Sequence, residues 1–329
     1  MVLDLTNETR LLEFYVCTVI GTFGIVSNIL NIIVSSRSKI QEITTIGFFY
    51  VYLSFNNIAF FVFAVFLFFS PQSIGKDELV TTSIYACLFI PYFTRVFAVI
   101  SGWLNVFISY DRICIFKANY DEHFLNNRKH LKIIGFVMFV VACVLCMPNL
   151  LFRLEIQTQY DSSTNMTQIT TICTASNLIQ SMRDASAALI RIIIPNILQI
   201  VLNVILIMRL FQFRRNHDPT LKKEKRFAFT IVILNIIYLL GEIPYCICLV
   251  LINIYGYNPS TYVSTSSNES AIASFAFICG WALLLAVSFS LLPFVNYFTN
   301  KKYRKEVKKM LGLKVKEDFR RPPTAPKRH

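Results

Sequence analysis

The stretch SIYACLFIPYFTRVFAVISGWLNVFISY, residues 83–110, holds 28 residues and a single charge, Arg95. As an α-helix rising about 1.5 Å per residue it is longer than the roughly 30 Å hydrocarbon core of a bilayer. Its apolar residues run without the strict alternation of a membrane barrel strand, so a helix is the way to satisfy its backbone in lipid. Six more blocks of the same kind surround it: Leu11–Val34, Ile46–Phe69, Leu131–Phe152, Ala187–Leu210, Phe227–Ile252 and Ala271–Phe298. The whole chain of 329 residues is only 16% charged, where a soluble domain carries about a quarter. The charges sit in the gaps between blocks. The expected fold is an all-α membrane protein, a bundle of seven transmembrane helices over residues 11–298. Residues 1–10 are expected as an extracellular N-terminus, and 299–329 as an amphipathic helix with a basic cytoplasmic tail.

Lys and Arg orient the bundle. With the N-terminus outside, 26 of the 32 fall in inner segments and 4 in outer ones, Arg10, Lys76, Arg153 and Arg183. The remaining two, Arg95 and Arg191, lie within spans. This distribution accounts for the net charge of +13 without nucleic acid, and it puts a basic tail against anionic membrane lipid. Three glycosylation sequons begin at Asn7, Asn165 and Asn268, all in segments expected outside. Residues 1–10 are polar and short, so the first span is expected to insert without a cleaved leader.

Several function classes drop out. No CxxC pair or metal-spaced Cys/His cluster appears among the nine cysteines. No HExxH occurs, and no second acid lies within a span near Glu242, so no catalytic pair for an intramembrane enzyme is available. Neither cofactor nor metal is implied. A transporter would show internal repeats, which are lacking, and an inverted seven-helix channel would reverse the charge asymmetry.

The third span ends in Ser109-Tyr110-Asp111-Arg112-Ile113. The pair Asp111-Arg112 alone is equally an ordinary interfacial charge pair. Cys87 lies 25 residues upstream of Arg112, and Cys173 sits in the longest outer loop. Pro195 falls in the fifth span, Pro244-Tyr245 in the sixth and Pro293 in the seventh, and the first span reads Gly24-Ile25-Val26-Ser27-Asn28. Jointly, this spacing resembles the rhodopsin-like G-protein-coupled receptors. The Gly/Asn-rich first span is most similar to FMRFamide-type neuropeptide receptors and related nematode serpentine chemoreceptors.

The resemblance implies a Cys87–Cys173 disulfide, an extracellular ligand and a heterotrimeric G protein partner at the plasma membrane. The ligand is a neuropeptide on the first reading and a small chemosensory molecule on the second; a channel or transporter ranks third. Arg112 is the implied switch, held at rest by Asp111 and by Glu224, with Pro244 as a hinge and Tyr120 beside Arg112 as a G-protein contact. Glu224 also reads as a solvated charge in a Lys-rich loop. The chain departs from the family at Asn57, where an Asp is usual, so no carboxylate is supplied there for sodium. Asn203 and Asn296 stand where tyrosines are usual, and Gly241-Glu242 where Cys-Trp is usual. Thr94 replaces the Asp of amine receptors.

Arg95, Arg191 and Glu242 are the charges deep within spans. Arg95 is 17 residues from Arg112, about 25 Å along a helix, and Arg191 and Glu242 flank Pro195 and Pro244 at similar depth. Charges there face the bundle interior, paired or wet. They form either a salt-bridged architecture or, with Thr94, a ligand site carrying one surplus positive charge.

The charge asymmetry makes a direct prediction. An epitope inserted within residues 1–10 stains on intact cells, and one on the tail stains only after permeabilisation; the opposite pattern would remove the receptor reading.

Overall fold

A computed structural model describes residues 2–37, 45–69, 83–115, 128–161, 166–212, 228–244, 280, 282, 284–299 and 301–313. The first helix, Val2–Arg37, begins before the first apolar block. No Gly or Pro precedes Gly21, so nothing in residues 2–10 stops the helix from running outward. The second span is helix Thr45–Phe61 continued by a π-helix, Val62–Phe69. The third is Ile84–Ile115 and the fourth Arg128–Leu145. Four helices of the described residues are long and apolar enough to cross a bilayer, and Ala228–Pro244 is a shorter apolar helix.

The fourth span departs from its expected block. It stops near Cys146, and a 3-10 turn, Met147–Leu151, follows. Pro148 in the first turn of that segment has no N–H to continue the α ladder. The segment that follows is an antiparallel hairpin, β1 (Arg153–Asp161) with β2 (Met166–Thr174), in which Leu154 faces Cys173. The disulfide Cys87–Cys173 fastens this hairpin to the top of the third span, with Cα atoms 5.7 Å apart. A helix over Asn177–Ser186 then leads into the fifth span, a π-helix Ala187–Ile193 and an α-helix Ile194–Gln212.

On the fifth and sixth spans the buried face carries the polar side chains and the exposed face is apolar. On the fifth span Pro195, Gln199, Asn203 and Leu206 are buried, while Ile197, Val201, Val204 and Met208 are exposed. On the sixth, Ala228, Ile231, Asn235, Tyr238 and Glu242 form one buried stripe, and Phe229, Ile236 and Leu240 are exposed. A helix whose exposed face is its most apolar one is arranged for lipid rather than water.

The first, second, third and seventh spans meet at a proline. Pro293 cannot donate to the carbonyl of Phe289, four residues back. The described seventh span is accordingly a π-helix, Leu284–Phe289, then a break, then helix Leu292–Thr299. The Phe289 carbonyl accepts instead from Asn28 Nδ2 at 2.9 Å, with Asn57 Nδ2 at 3.4 Å, and the Ser290 carbonyl accepts from Ser27 Oγ at 3.1 Å. Asn57 Oδ1 in turn accepts from Ser101 Oγ at 2.9 Å, and Ser101 Oγ from Asn56 Nδ2 at 2.6 Å. Gly24 lets the first span close on this seam: a Cβ there would stand 2.2 Å from the Phe61 ring, which packs edge-on against Phe289.

Past the last span, helix Lys301–Met310 turns back against the bundle with Tyr303 buried. Arg304 Nε donates to the Tyr297 carbonyl at 2.9 Å, satisfying a helix-end acceptor.

Replacing Asn28 by Leu keeps the bulk and removes the donor from Phe289. The cost is about 1–2 kcal/mol, the scale of a buried polar group left unpaired in a membrane core. It should appear as a lower unfolding temperature of the purified protein in nanodiscs, whereas lipid-facing Val26→Leu leaves the temperature unchanged. Equal melting of Asn28→Leu and wild type would show that this carbonyl needs no donor.

Candidate ligand site and transmission core

The outer charges converge. Arg95 and Arg191 line one crevice between the third, fourth and fifth spans, with Val99, Cys146, Asn149 and Ile190. Its floor is fixed by Asn149, whose Nδ2 donates to the Cys146 carbonyl at 2.9 Å. Arg95 Nη1 reaches the Arg183 carbonyl at 3.4 Å, and the Arg183 guanidinium lies 4.8 Å from the centre of the Phe152 ring. Behind the crevice, Arg191 acts electrostatically on Glu242, and Tyr238 hydrogen-bonds to it. Glu242 is 1% exposed and Arg191 9%, so both charges are removed from solvent. The Glu242 Oε2 atom has no hydrogen-bond partner among the described residues. Thr94 does not join the cluster through its hydroxyl, which donates to the Ile90 carbonyl of its own helix at 2.8 Å.

Below the charges, the fifth span carries the same proline logic as the seventh. In the π register Ile194 N–H bonds the Leu189 carbonyl, five residues back. Pro195 would come next, opposite the Ile190 carbonyl, and has no N–H to give. Trp103 on the third span fills the role, its Nε1 donating to Ile190 O at 3.2 Å. Gly102, beside Trp103, allows the close approach. A Cβ on it would meet the Arg191 carbonyl at 3.4 Å and the Tyr238 hydroxyl at 3.5 Å. The hydroxyl that bonds Glu242 thus sits over a notch in the third span, next to Pro195.

At the far end, Asp111 and Arg112 are 0% and 1% exposed. Arg112 Nε donates to Asp111 Oδ2 at 3.2 Å, alongside a shorter contact from Nη2. One turn back, Ser109 accepts from Asn235 Nδ2 on the sixth span, which also donates to Asn203 Oδ1 on the fifth, both at 2.7 Å. Asn203, at a position where the family usually has tyrosine, therefore makes a polar link between spans. Asn57 makes another, to Ser101 and Asn28. Asn296 is buried, and neither amide atom has a hydrogen-bond partner among the described residues. Pro244 is half-buried at the end of the described sixth span.

Glu224, Tyr120, Asn165 and Asn268 lie outside the described residues, and Asn7 falls in the first helix. Reading the sequence alone misses Trp103, Tyr238 and Asn235. Their signal is a polar or amphipathic side chain inside an apolar block, which becomes a role only when the opposing carbonyl or amide is known.

Comparison with the curated proteins finds no match. A family model described as 7 transmembrane receptor (rhodopsin family) matches residues 27–295, from the buried Ser27 of the first span to Val295 in the seventh. That range takes in the disulfide, the outer charges, the proline seams and the Asp111–Arg112 pair. The chain belongs to the rhodopsin family of seven-transmembrane receptors, which are membrane signalling proteins and not enzymes.

Proposed function

We propose that the chain is a plasma-membrane receptor with its N-terminus outside, which takes an extracellular ligand between the outer halves of its spans and activates a heterotrimeric G protein at the Arg112 end. The observation that carries this reading is the pairing of two charge clusters within the spans, half-buried Arg95 with buried Arg191 and Glu242 at one end and buried Asp111–Arg112 at the other. Burying an ionised side chain in a bilayer costs several kcal/mol unless it is matched. Two arginines and one carboxylate make a net positive site, which suits an anionic or carbonyl-rich group on the ligand. Orientation rests on the 26 inner and 4 outer basic residues and on sequons at Asn7, Asn165 and Asn268.

A neuropeptide suits the site, because its carbonyls or a carboxylate meet Arg95 and Arg191 while a basic group meets Glu242. Thr94, one residue from Arg95, borders the same region. The narrowness of the crevice favours a second reading: a small organic acid sensed as a chemical cue needs little more than the donors of Arg95 and Arg191 that line it. At the inner end Arg112 leaves Asp111 on activation and meets the G protein beside Tyr120, while Glu224 adds a second restraint and Pro244 supplies the hinge. Ligand binding drives this only by its differential affinity for the two states.

A calcium or cAMP screen of cells bearing the chain, against a peptide library and an organic-acid library, separates the two ligand classes. With an agonist in hand, Arg95→Ala and Arg191→Ala each reduce potency about tenfold or more, the scale of one lost charged contact, with surface staining retained. Glu242→Gln changes maximal response. Wild-type potency and efficacy in all three surface-expressed variants would place the pocket elsewhere.

Glu224→Ala raises ligand-independent signalling and leaves agonist binding intact. Unchanged basal activity in a well-expressed variant would remove Glu224 from the switch.

A further inference from the structure

Asn235, like Asn57, spends its amide across helix interfaces and not along its own helix. Both of its short bonds are donated by one nitrogen, and they go to two different spans. Nδ2 donates to Ser109 Oγ on the third span and to Asn203 Oδ1 on the fifth, each at 2.7 Å. The three side chains are 2%, 0% and 6% exposed, so no water stands ready to replace either bond. The assignment of donors is consistent. Ser109 spends its own hydrogen on the Asn105 carbonyl at 2.8 Å and keeps its lone pairs for Asn235.

We propose that Asn235 is a two-donor clamp that holds the sixth span shut against the third and fifth, and that releasing it is the step by which the sixth span opens. The proposal rests on reading the chain as a G-protein-activating receptor, and it adds the restraint that sets the resting state. Geometry makes the clamp cooperative. Movement of the sixth helix away from the third breaks one bond, movement away from the fifth breaks the other, and an outward swing breaks both. Its place in the chain gives it leverage. Ser109 is one helical turn before Arg112, and Asn235 lies on the same buried stripe as Tyr238 and Glu242, two turns from the carboxylate. A rigid helix whose outer end is set by the Glu242 cluster therefore carries its displacement to the clamp. Toward the Arg112 end of that helix, the buried Ile231 and Val232 beside Asn235 are apolar. They hold by dispersion, which is non-directional and slides at small cost. The amide is the directional element, and being neutral it is indifferent to salt and to pH.

The test uses the full-length chain in nanodiscs, with paramagnetic labels on Phe229→Cys of the sixth span and Ile133→Cys of the fourth, both lipid-facing and both at the Arg112 end of their helices. No ligand is needed. Asn235→Leu is expected to lengthen the label distance, raising the open-to-closed ratio about five- to tenfold, the scale of two interhelical hydrogen bonds in a membrane core, and Asn203→Leu, which removes one of the two, raises it about threefold. The double variant opens no further than Asn235→Leu alone, Ser109→Ala gives a smaller shift, and Ser109→Thr, which keeps the hydroxyl, restores the wild-type distribution. Variants that melt like wild type and keep its distance distribution overturn the clamp. If Asn235→Leu does not fold, Ser109→Ala decides alone, and a wild-type distribution in it overturns the proposal equally. Basal nucleotide exchange on purified inhibitory, stimulatory and q-class heterotrimers is measured in parallel. Labels that separate while exchange rises with none of the three would sustain the clamp and sink the G-protein reading.

Discussion

Where water is absent, a backbone carbonyl that loses its helical donor must find another, and the bundle is organised around two such carbonyls. Pro293 deprives Phe289 of its donor, and Pro195 deprives Ile190 of its donor in the π register. Each vacancy is filled from a different helix, by Asn28 at 2.9 Å and by Trp103 at 3.2 Å. The prolines thus bring helices together through the polar group they release. The first seam ties the first, second, third and seventh spans. The other ties the third to the fifth, with the sixth drawn in by the Tyr238 hydroxyl above Gly102. The third span takes part in both, through Ser101 and Trp103, and the disulfide at Cys87 fixes its outer end to the hairpin. It is the helix against which the others are positioned.

The same constraint decides where charge is permitted. Between the outer cluster and the Asp111–Arg112 pair, the buried polar groups named on the spans are amides and hydroxyls: Asn28, Asn56, Asn57, Ser101, Gln199, Asn203 and Asn235. An amide matched by other amides costs little to bury, while an unmatched carboxylate costs far more. Asn57 is the clearest instance. With Asn28 Nδ2 on Phe289 and Ser101 Oγ on Asn57 Oδ1, the seam closes on neutral groups.

Much of the architecture is legible in the sequence because it rests on quantities that need no partner. Apolar length identifies spans, and Cys87 and Cys173 pair on the family resemblance and in the structure alike. What composition hides is anything decided across a helix interface. Pro148 is visible, but a block-length reading runs through it to Phe152, whereas the helix ends near Cys146. The hairpin has a local signal in the β-rich run Thr167–Thr174, easily passed over between two spans. Thr94 donates to the Ile90 carbonyl one turn back on its own helix, a bond that its position in the sequence does not show. Trp103 and Asn235 have no readable role until the π register and the opposing side chains are known.

On the proposed reading the two ends are joined by stiffness, since among the described residues no continuous chain of charges runs between them. Glu242, Tyr238 and Asn235 lie on one stripe of one helix, so what happens at the carboxylate moves the amide as part of the same rigid body. Couplings between sites in proteins amount to about 1–3 kcal/mol. A resting state held by interhelical bonds of under 2 kcal/mol each is within reach of a ligand's differential affinity, whereas one held by buried ion pairs along the whole interface would not be. On the proposed reading the charge that is exchanged lies at the ends, where a ligand or a protein partner would meet it. The interior between them is built from neutral groups whose bonds are directional enough to define a closed state and weak enough to be released.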